Sequence, residues 1–444
     1  MQLEPSKYKM MKITLIIAGS GGSFYCGNCL RDVEFIHAMK KAGHEITVIP
    51  MYLPLTETME PEIGVSPVFF GAISLYIRQI IPALRKMPTW IDRFFNLPFF
   101  LKMAAKKAGS TRASGLEQMT ISMLKGEEGN QKAELEMLVS YLKQHEKPDI
   151  VHISNALLSG LAPGLKKGLQ VPVFCSLQDE DEWVDEMDTS SQKEIWGLIN
   201  RNAKSIDAFI SVSYYFKKKI LKNTAIPEWK IAVVYNGINP ALYAPIKSKS
   251  KPGTIAFLNR MSQNTGLDIL IDAFILVKQK PGTFEWKLKI AGGFTSDEKP
   301  FLKSIRKKIK KAGLSNNVVF YTGFTDELKF RFLQSVDLLC YPVKREEAFG
   351  MPMIEAMAMG IPVIAADYGA CPEIIQTTGG GMVYLPNNAP QLSDAIFNVM
   401  SDLALYDKLS KNAKSGCNSH FRSDVQVEKL VAVYKSFLHK HNLS

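Results

Sequence analysis

Two glutamates, Glu347 and Glu355, lie eight positions apart in the stretch EAFGMPMIE, and an apolar run follows the second one. Pro352 suits the first turn of a helix, where no amide donor is needed. Glu347 is therefore expected just before a short helix and Glu355 one turn inside it, so both carboxylates would reach one crevice. Carboxylates accept hydrogen bonds from hydroxyl groups, which a sugar or a ribose offers in pairs. The simpler alternative is a buried helix that one acid caps, while the other glutamate is hydrogen-bonded inside the protein and binds no ligand.

The start of the same helix could bind phosphate. The amides around Phe349, Gly350 and Met351 would lie at a helix amino terminus, where N–H groups and the helix dipole favour an anion. The pattern therefore indicates a site for a phosphate group with a hydroxyl-binding acid on either side.

The elements that would hold this site alternate along almost the whole chain. Apolar runs rich in β-branched residues are separated by helical patterns, which is typical of βαβ units that form a parallel sheet with helices on both faces. The predicted strands are 13–18, 46–50, 150–153, 171–176, 208–212 and 232–234 in a first series, and 254–258, 286–291, 318–321, 336–341, 363–366 and 382–385 in a second.

The length of 444 residues is too great for one ordinary core, so two domains are expected. The segment 239–253 carries three prolines and a Lys/Ser run, the composition of a linker. The predicted organisation is a first domain at 1–238, a linker at 239–253, a second domain at 254–420 and a helical tail at 421–444.

The composition indicates a folded cytoplasmic protein with an anionic partner. Apolar residues make up 46% and charged residues 22%, the net charge is +11, and there are six cysteines. The cysteines are too sparse for a disulfide scaffold and favour a reducing compartment. No basic run follows the pattern of a known nucleic-acid-binding fold, so no nucleic-acid partner is expected.

The stretch around Glu347 and Glu355 resembles the E-x7-E motif of the retaining nucleotide-sugar glycosyltransferases of family 4. The resemblance covers nearly the whole chain and is strongest from Arg260 to Glu373. It implies an α/β protein of the GT-B fold, with two doubly wound Rossmann-like domains facing a central cleft and a final helix that joins the first domain. It also implies that Glu347 lies by the donor sugar and Glu355 holds the ribose of the nucleotide. The backbone that would meet the sugar and diphosphate is that of Phe349, Gly350, Met351 and Pro352.

The segment from Asn259 to Leu267 resembles the family's G-R-L…K-G loop, where an arginine and a lysine grip the donor diphosphate. Arg260 fits, because a guanidinium binds phosphate oxygens in a bidentate manner. Thr265 stands for the usual lysine, and this removes a cation that would stabilise the departing diphosphate. Either another basic residue reaches in, or donor preference differs, or activity is weak or absent.

Two further loops fall at the ends of strands in the first domain. Gly21 and Gly22 belong to a glycine loop that could contact donor or acceptor, or could be a plain tight turn. Gln178 stands where the family often has a histidine near the acceptor. The acids after it, Asp179 first and then Glu180 and Asp181, are candidates for an acceptor-side base or form a solvated cluster.

Two features suggest other activities. Cys26 and Cys29 form a C-x-x-C pair at a predicted helix start, which fits either a thiol–disulfide oxidoreductase or small packing residues. The segment 69–112 holds eight cations, one acid and interleaved aromatic residues. It could lie on an anionic membrane surface or form a core-packed helical pair with solvated lysines.

The sequence predicts a metal-independent, retaining glycosyltransferase of hexosyl type. It would move a sugar from a nucleotide-diphosphate sugar to a glycan or lipid-linked acceptor, with Glu347, Arg260 and Asp179 as the catalytic residues and no cofactor. It would lie in the cytoplasm or on the inner face of the cell membrane. The alternative is a non-catalytic, membrane-associated protein of the same fold that binds nucleotide sugars or glycans.

Overall fold

A computed structural model describes residues 10–18, 27–51, 115–243, 252–322 and 326–441. The loop with Gly21 and Gly22, the cysteine Cys26 and the basic segment 69–112 lie outside the described residues. The chain divides into two compact units. Unit 1 comprises Met1–Gly22, Asn28–Val234 and Val427–Ser444, and unit 2 comprises Ser23–Gly27 and Tyr235–Gln426.

Unit 1 contains a six-stranded parallel sheet in the order β2-β1-β3-β4-β5-β6. Every residue of β3 and β5 is buried, as expected for parallel strands covered by helices on both faces. The strands are β1 (Lys12–Ile17), β2 (Glu45–Pro50), β3 (Ile150–Ile153), β4 (Val173–Leu177), β5 (Ala208–Ser211) and β6 (Ile231–Val233). The helices are α1 (Gly27–Lys41), α2 (Glu117–Lys125), α3 (Lys132–Tyr141), α4 (Ala162–Leu169), α5 (Glu180–Asp185), α6 (Thr189–Asn202) and α7 (Tyr214–Asn223).

Unit 2 contains a second six-stranded parallel sheet, in the order β12-β11-β10-β7-β8-β9. Its strands are β7 (Thr254–Leu258), β8 (Lys287–Ala291), β9 (Val318–Tyr321), β10 (Leu338–Tyr341), β11 (Val363–Ala366) and β12 (Gly381–Tyr384). Its helices are α8 (Leu267–Val277), α9 (Lys299–Lys311), α10 (Asp326–Gln334), α11 (Met351–Ala358), α12 (Cys371–Thr378), α13 (Ala389–Ser401) and α14 (Leu403–His420). The central strand β10 pairs with β11, the next strand along the chain, through Leu339 and Val363. It also pairs with β7, from which β8 and β9 separate it in sequence, through Leu338 and Ile255.

The predicted fold class is confirmed, since both units are α/β sheets of parallel strands with flanking helices. Short 3-10 turns supplement the helices, including Pro240–Leu242 at the start of the predicted linker. Among the described residues, no helix combines the length and apolar character that crossing a membrane requires.

The last helix, α15 (Ser423–His441), buries part of its length in the core of unit 1. Tyr434 on this helix is fully buried, and its ring contacts Phe174 of β4 at 4.6 Å between centroids. Its hydroxyl is hydrogen-bonded to Nδ1 of His152 on β3, whose Nε2 lies 2.8 Å from Ser176 Oγ. Burial, reinforced by the positive charge of Arg31, lowers the pKa of His152 to about 3. The imidazole is therefore neutral and ties the helix to the sheet.

Removing the Tyr434 hydroxyl should destabilise the protein, because it leaves one nitrogen of the buried His152 without its partner. We expect Tyr434→Phe to lower the free energy of unfolding by about 1–3 kcal/mol, the cost of an unsatisfied buried polar group. Urea unfolding followed by circular dichroism measures the change. Tyr214→Phe is the matched control, because Tyr214 is 57% exposed and its hydroxyl can bond water. Equal stability of the two variants would contradict this role for Tyr434.

Candidate functional site

Three neighbouring strands of unit 2, β7, β10 and β11, end at one edge of their sheet. The residues that follow them are the β7 loop (259–266), the β10 loop (342–350) and the β11 loop (367–370). Carboxyl ends of parallel strands are where open α/β sheets bind ligands. The predicted donor-site residues of the second domain belong to the β7 and β10 loops and to α11, so the fold brings them to this edge.

The three loops pack closely through their backbones at two glycines. Gly266 has a φ of +74°, and a Cβ built there would lie 1.7 Å from the carbonyl oxygen of Pro342. Gly369 has a φ of +59°, and its Cβ would lie 2.4 Å from both the nitrogen and the carbonyl oxygen of Glu347. No larger residue fits either position without moving a loop, so the β10 loop is fixed from both sides.

Glu347 is held at this junction by its backbone and its side chain. Its carbonyl oxygen accepts a hydrogen bond from the amide of Ala370 at 3.0 Å. Its carboxylate accepts one from the hydroxyl of Tyr341 and, at 3.5 Å, one from Asn259 Nδ2. The carboxylate is half-buried rather than enclosed, so it can also meet a ligand.

The helix α11 begins at Met351 and has Pro352 in its first turn, as predicted. No side chain caps its amino end, where Gly350 has a φ of +129°. Phe349 packs against Tyr235 and Phe421, at 6.2 and 5.7 Å between ring centroids. Its side chain therefore belongs to the core, and only the backbone of residues 349–352 is suited to contact an anion.

Glu355 is 1% exposed and forms a buried polar cluster on the second turn of α11. Its Oε1 accepts hydrogen bonds from Lys329 Nζ at 2.7 Å and from Tyr243 OH at 3.0 Å. Lys329 and Tyr243 are each 4% exposed. The ammonium of Lys329 pairs with the buried carboxylate and fixes its orientation inside the protein.

Sequence reasoning missed both partners of Glu355. Lys329 lies on α10, where a lysine in a helical pattern is normally solvated. Tyr243 lies in the segment predicted as a linker, although it is buried. No local pattern marks either residue, because the cluster joins three segments that are distant along the chain.

Arg260 is the second residue after the β7 strand, and its guanidinium forms an ion pair with Glu298. The side chain of Arg260 is 25% exposed, so part of it faces solvent. Burial raises the pKa of Glu298, but hydrogen bonds from Thr295 and the charge of Arg260 outweigh burial and lower it overall. Glu298 is therefore a carboxylate that orients the guanidinium.

Thr265 does not present a group to the site edge. It is 3% exposed, and its Oγ1 donates to the carbonyl oxygen of Arg260 at 2.6 Å. The same oxygen lies 2.9 Å from the carbonyl oxygen of Ser262. Thr265 thus holds the β7 loop together from within and supplies no positive charge.

In unit 1, the predicted acceptor-side residues follow β4. Gln178 is buried, and its Nε2 donates to the carbonyl oxygen of Ser154 at 2.5 Å. Glu180 is fully buried and accepts from the amides of Ala156 at 2.8 Å and Gln178 at 2.7 Å. Burial raises the pKa of Glu180 to about 8, against the opposing effect of these amides. Asp179 is half-buried, with a φ of +54°.

The interpretation of these acids as a solvated cluster is wrong for two of them. Glu180 is enclosed by amides, and Asp181 is 4% exposed with its carboxylate 2.5 Å from Lys219 Nζ. Asp179 remains a candidate base by prediction, and its backbone conformation gives it a structural role as well.

Among the described residues, no three or more His, Cys, Asp or Glu side chains are grouped as metal ligands. The four cysteines Cys175, Cys340, Cys371 and Cys417 are free and buried, and burial raises the pKa of each thiol.

Breaking the Glu355–Lys329 pair should be costly. We expect Glu355→Gln to lower the free energy of unfolding by about 3–5 kcal/mol, because it leaves a buried ammonium without a counter-charge. The double variant Glu355→Gln with Lys329→Met should recover most of this loss. Glu327→Gln is the control, since its partner Arg331 is 72% exposed and the pair is solvated. Urea unfolding of all variants tests the expectation, and additive losses in the double variant would contradict it.

Asp179 has a left-handed backbone, so its structural role can be tested apart from its candidate role as a base. Asn tolerates this conformation, whereas Ala does not, at a cost of about 1–2 kcal/mol. We therefore expect Asp179→Asn to keep wild-type stability and Asp179→Ala to be less stable by that amount in urea unfolding. If both keep wild-type stability, the backbone at this turn is unstrained.

Comparisons with known proteins match both units. The family model described as Glycosyltransferase Family 4 matches residues 123–242, and the one described as Glycosyl transferases group 1 matches residues 241–416. An uncharacterized glycosyltransferase of Methanocaldococcus jannaschii is 26% identical over 316 residues, which cover 65% of this chain and 76% of that protein.

A second relative is the lipopolysaccharide core biosynthesis mannosyltransferase LpsB of Rhizobium meliloti. It is 28% identical over 192 residues, which cover 41% of this chain and 52% of the relative. Among solved structures, Anabaena HepE in complex with UDP superposes with a TM-score of 0.68 at 18% identity, covering 97% of this chain and 100% of that one. This likeness confirms the GT-B fold. The protein belongs to the family 4 glycosyltransferases.

Proposed function

We propose that this enzyme transfers a hexosyl group from a nucleoside-diphosphate sugar to a glycan or lipid-linked acceptor, with retention at the anomeric carbon and without a metal ion. The observation that supports the proposal best is the position of Glu347. Its half-buried carboxylate lies at the junction of three strand-end loops, three residues before Gly350 at the uncapped amino end of α11.

The diphosphate of the donor fits the positive groups at this edge. The amide dipoles at the start of α11 favour an anion, and Arg260 on the neighbouring loop offers a guanidinium that binds phosphate oxygens in pairs. When the glycosidic C–O bond breaks, its electron pair goes to the diphosphate oxygen. Both groups would stabilise the negative charge that develops there.

The acids would bind the hydroxyl groups of the donor. Glu347 would orient the sugar, because its carboxylate is held by Tyr341 and Asn259 and is still accessible. Glu355 would accept from the ribose once the residues that cover its carboxylate move aside, because the side chain is 1% exposed in the free protein. Lys329 and Tyr243 hold that carboxylate in one orientation.

Two comparisons support the donor and acceptor classes. HepE was solved with UDP, and the LpsB relative is a mannosyltransferase of lipopolysaccharide core biosynthesis. A nucleotide donor and a glycan acceptor follow by analogy. The acceptor would be deprotonated on the side of unit 1, where Asp179 is the candidate base.

Transfer assays with UDP-, GDP- and ADP-sugars test the proposal. NMR of the product gives the anomeric configuration, and a parallel assay with a chelator tests whether a metal ion is needed. We expect turnover with one donor class, a retained anomeric configuration and no loss with chelator. Nucleotide binding without any turnover would instead support a non-catalytic binding protein.

Glu347→Gln should lower kcat by about 100-fold or more, because the neutral amide cannot make the same charged contact with the sugar. Glu346→Gln is the matched control, since Glu346 is adjacent but exposed. Thermal unfolding of both variants checks that the fold is kept. Similar kcat values for the two variants would remove Glu347 from the proposed mechanism.

A further inference from the structure

The resemblance to the family 4 loop implies a lysine at position 265, where this chain has Thr265. Thr265 is turned inward and bonds the carbonyl oxygen of Arg260 at 2.6 Å. The guanidinium of Arg260 is therefore the one cation of this loop that could bind the diphosphate, and it is already paired with Glu298. The diphosphate carries more than one negative charge. A second cation at this edge would complete the charge balance.

Lys344, on the β10 loop, lies against this same segment. Its amide donates to the carbonyl oxygen of Asn264 at 2.9 Å, next to position 265. Its ammonium lies 2.6 Å from Asp268 Oδ2, in the first turn of α8. Thr265 and Asp268 are three positions apart in the chain, so the ion pair with Asp268 holds Lys344 beside the segment that carries position 265.

Lys344 is also accessible to solvent, unlike Lys329, the buried lysine of unit 2. The side chain of Lys344 is 30% exposed, whereas that of Lys329 is 5% exposed and committed to Glu355. Lys344 stands three positions before Glu347 on the same loop, so it is held by the same glycine contacts that fix the loop.

We propose that Lys344 binds the diphosphate of the nucleotide-sugar donor and replaces the lysine that Thr265 has displaced. Lys344 forms no covalent bond with the ligand. In the free enzyme Asp268 holds its ammonium, and in the complex the ammonium is shared between Asp268 and the phosphate nearest the sugar. This inference rests on the proposed function, since it assigns a residue to the same donor site.

The competing role for the Lys344–Asp268 pair is a structural link between the β10 loop and α8. The two roles differ in what removing the acid does. A structural link is broken equally by losing either partner. If Lys344 binds phosphate, replacing Lys344 lowers the affinity for the diphosphate. Replacing Asp268 does not, because the ammonium is then freed to bind the ligand.

Titration calorimetry with UDP, GDP and ADP, and with UMP, GMP and AMP, tests the proposal. For the base that wild-type protein binds, we expect Lys344→Met to raise the Kd of the diphosphate by about 10–100-fold, the value of one charge-assisted hydrogen bond. The Kd of the matching monophosphate should stay unchanged. Lys344→Arg, which keeps the charge, should retain most of the affinity.

Lys308→Met is the matched control, because Lys308 pairs at 2.8 Å with Asp272, one turn further along the same helix α8. It should leave both affinities unchanged. Asp268→Asn should keep or improve diphosphate affinity.

The results separate the inference from the function on which it rests. If wild-type protein binds none of the diphosphates, the donor site itself is wrong. If wild-type protein binds one and Lys344→Met matches Lys308→Met, the assignment of Lys344 is overturned. Equal losses for Lys344→Met and Asp268→Asn would also overturn it in favour of the structural link.

Discussion

The backbone of Glu347 packs directly against the backbone of the β11 loop, and the candidate site depends on this contact. The amide of Ala370 bonds the Glu347 carbonyl, and the absence of a side chain at Gly369 lets the two backbones meet. On the other side, Gly266 allows the β7 loop to approach Pro342 equally closely. Because backbone contacts set the spacing, the carboxylate of Glu347 and the amino end of α11 keep a fixed separation whatever the surrounding side chains do.

The charged groups of the site are paired before any ligand arrives. Arg260 faces Glu298, Lys344 faces Asp268 and Lys329 faces Glu355. These pairs hold long side chains in one orientation, which reduces the entropy lost on binding. The first two are partly exposed and can share their cation with a ligand, whereas the third is enclosed. The arrangement therefore combines two adaptable cations with one rigid carboxylate.

The fold was predictable because it depends on local patterns. Buried strands such as β10 and β11 read as continuous apolar runs, and Pro352 marked the start of α11. Family 4 was indicated by the resemblance of the segment from Glu347 to Glu355 to the family's E-x7-E motif. Roles of individual residues remain predictions, because they depend on a ligand that must be bound to be seen.

The parts that sequence did not predict depend on contacts between distant segments. Lys329 looks like an ordinary helical lysine, and only the approach of α10 to α11 turns it into a buried counter-ion. Asp181 looks solvated until Lys219 of α7 is placed beside it. Gly369 carries no motif, and its importance follows only from the backbone of Glu347.

The strand order of unit 2 also constrains how this region is assembled during synthesis. β7 emerges first but pairs with β10, through Ile255 and Leu338, only after β8, β9 and their helices have been made. The Arg260 side of the site must therefore wait for a long-range closure before it meets the Glu347 side, and such closures are slow. A ribosome-bound chain that ends before β11 would contain Arg260 and Glu347 but would lack Gly369 and Ala370, whose backbone holds Glu347 from one side.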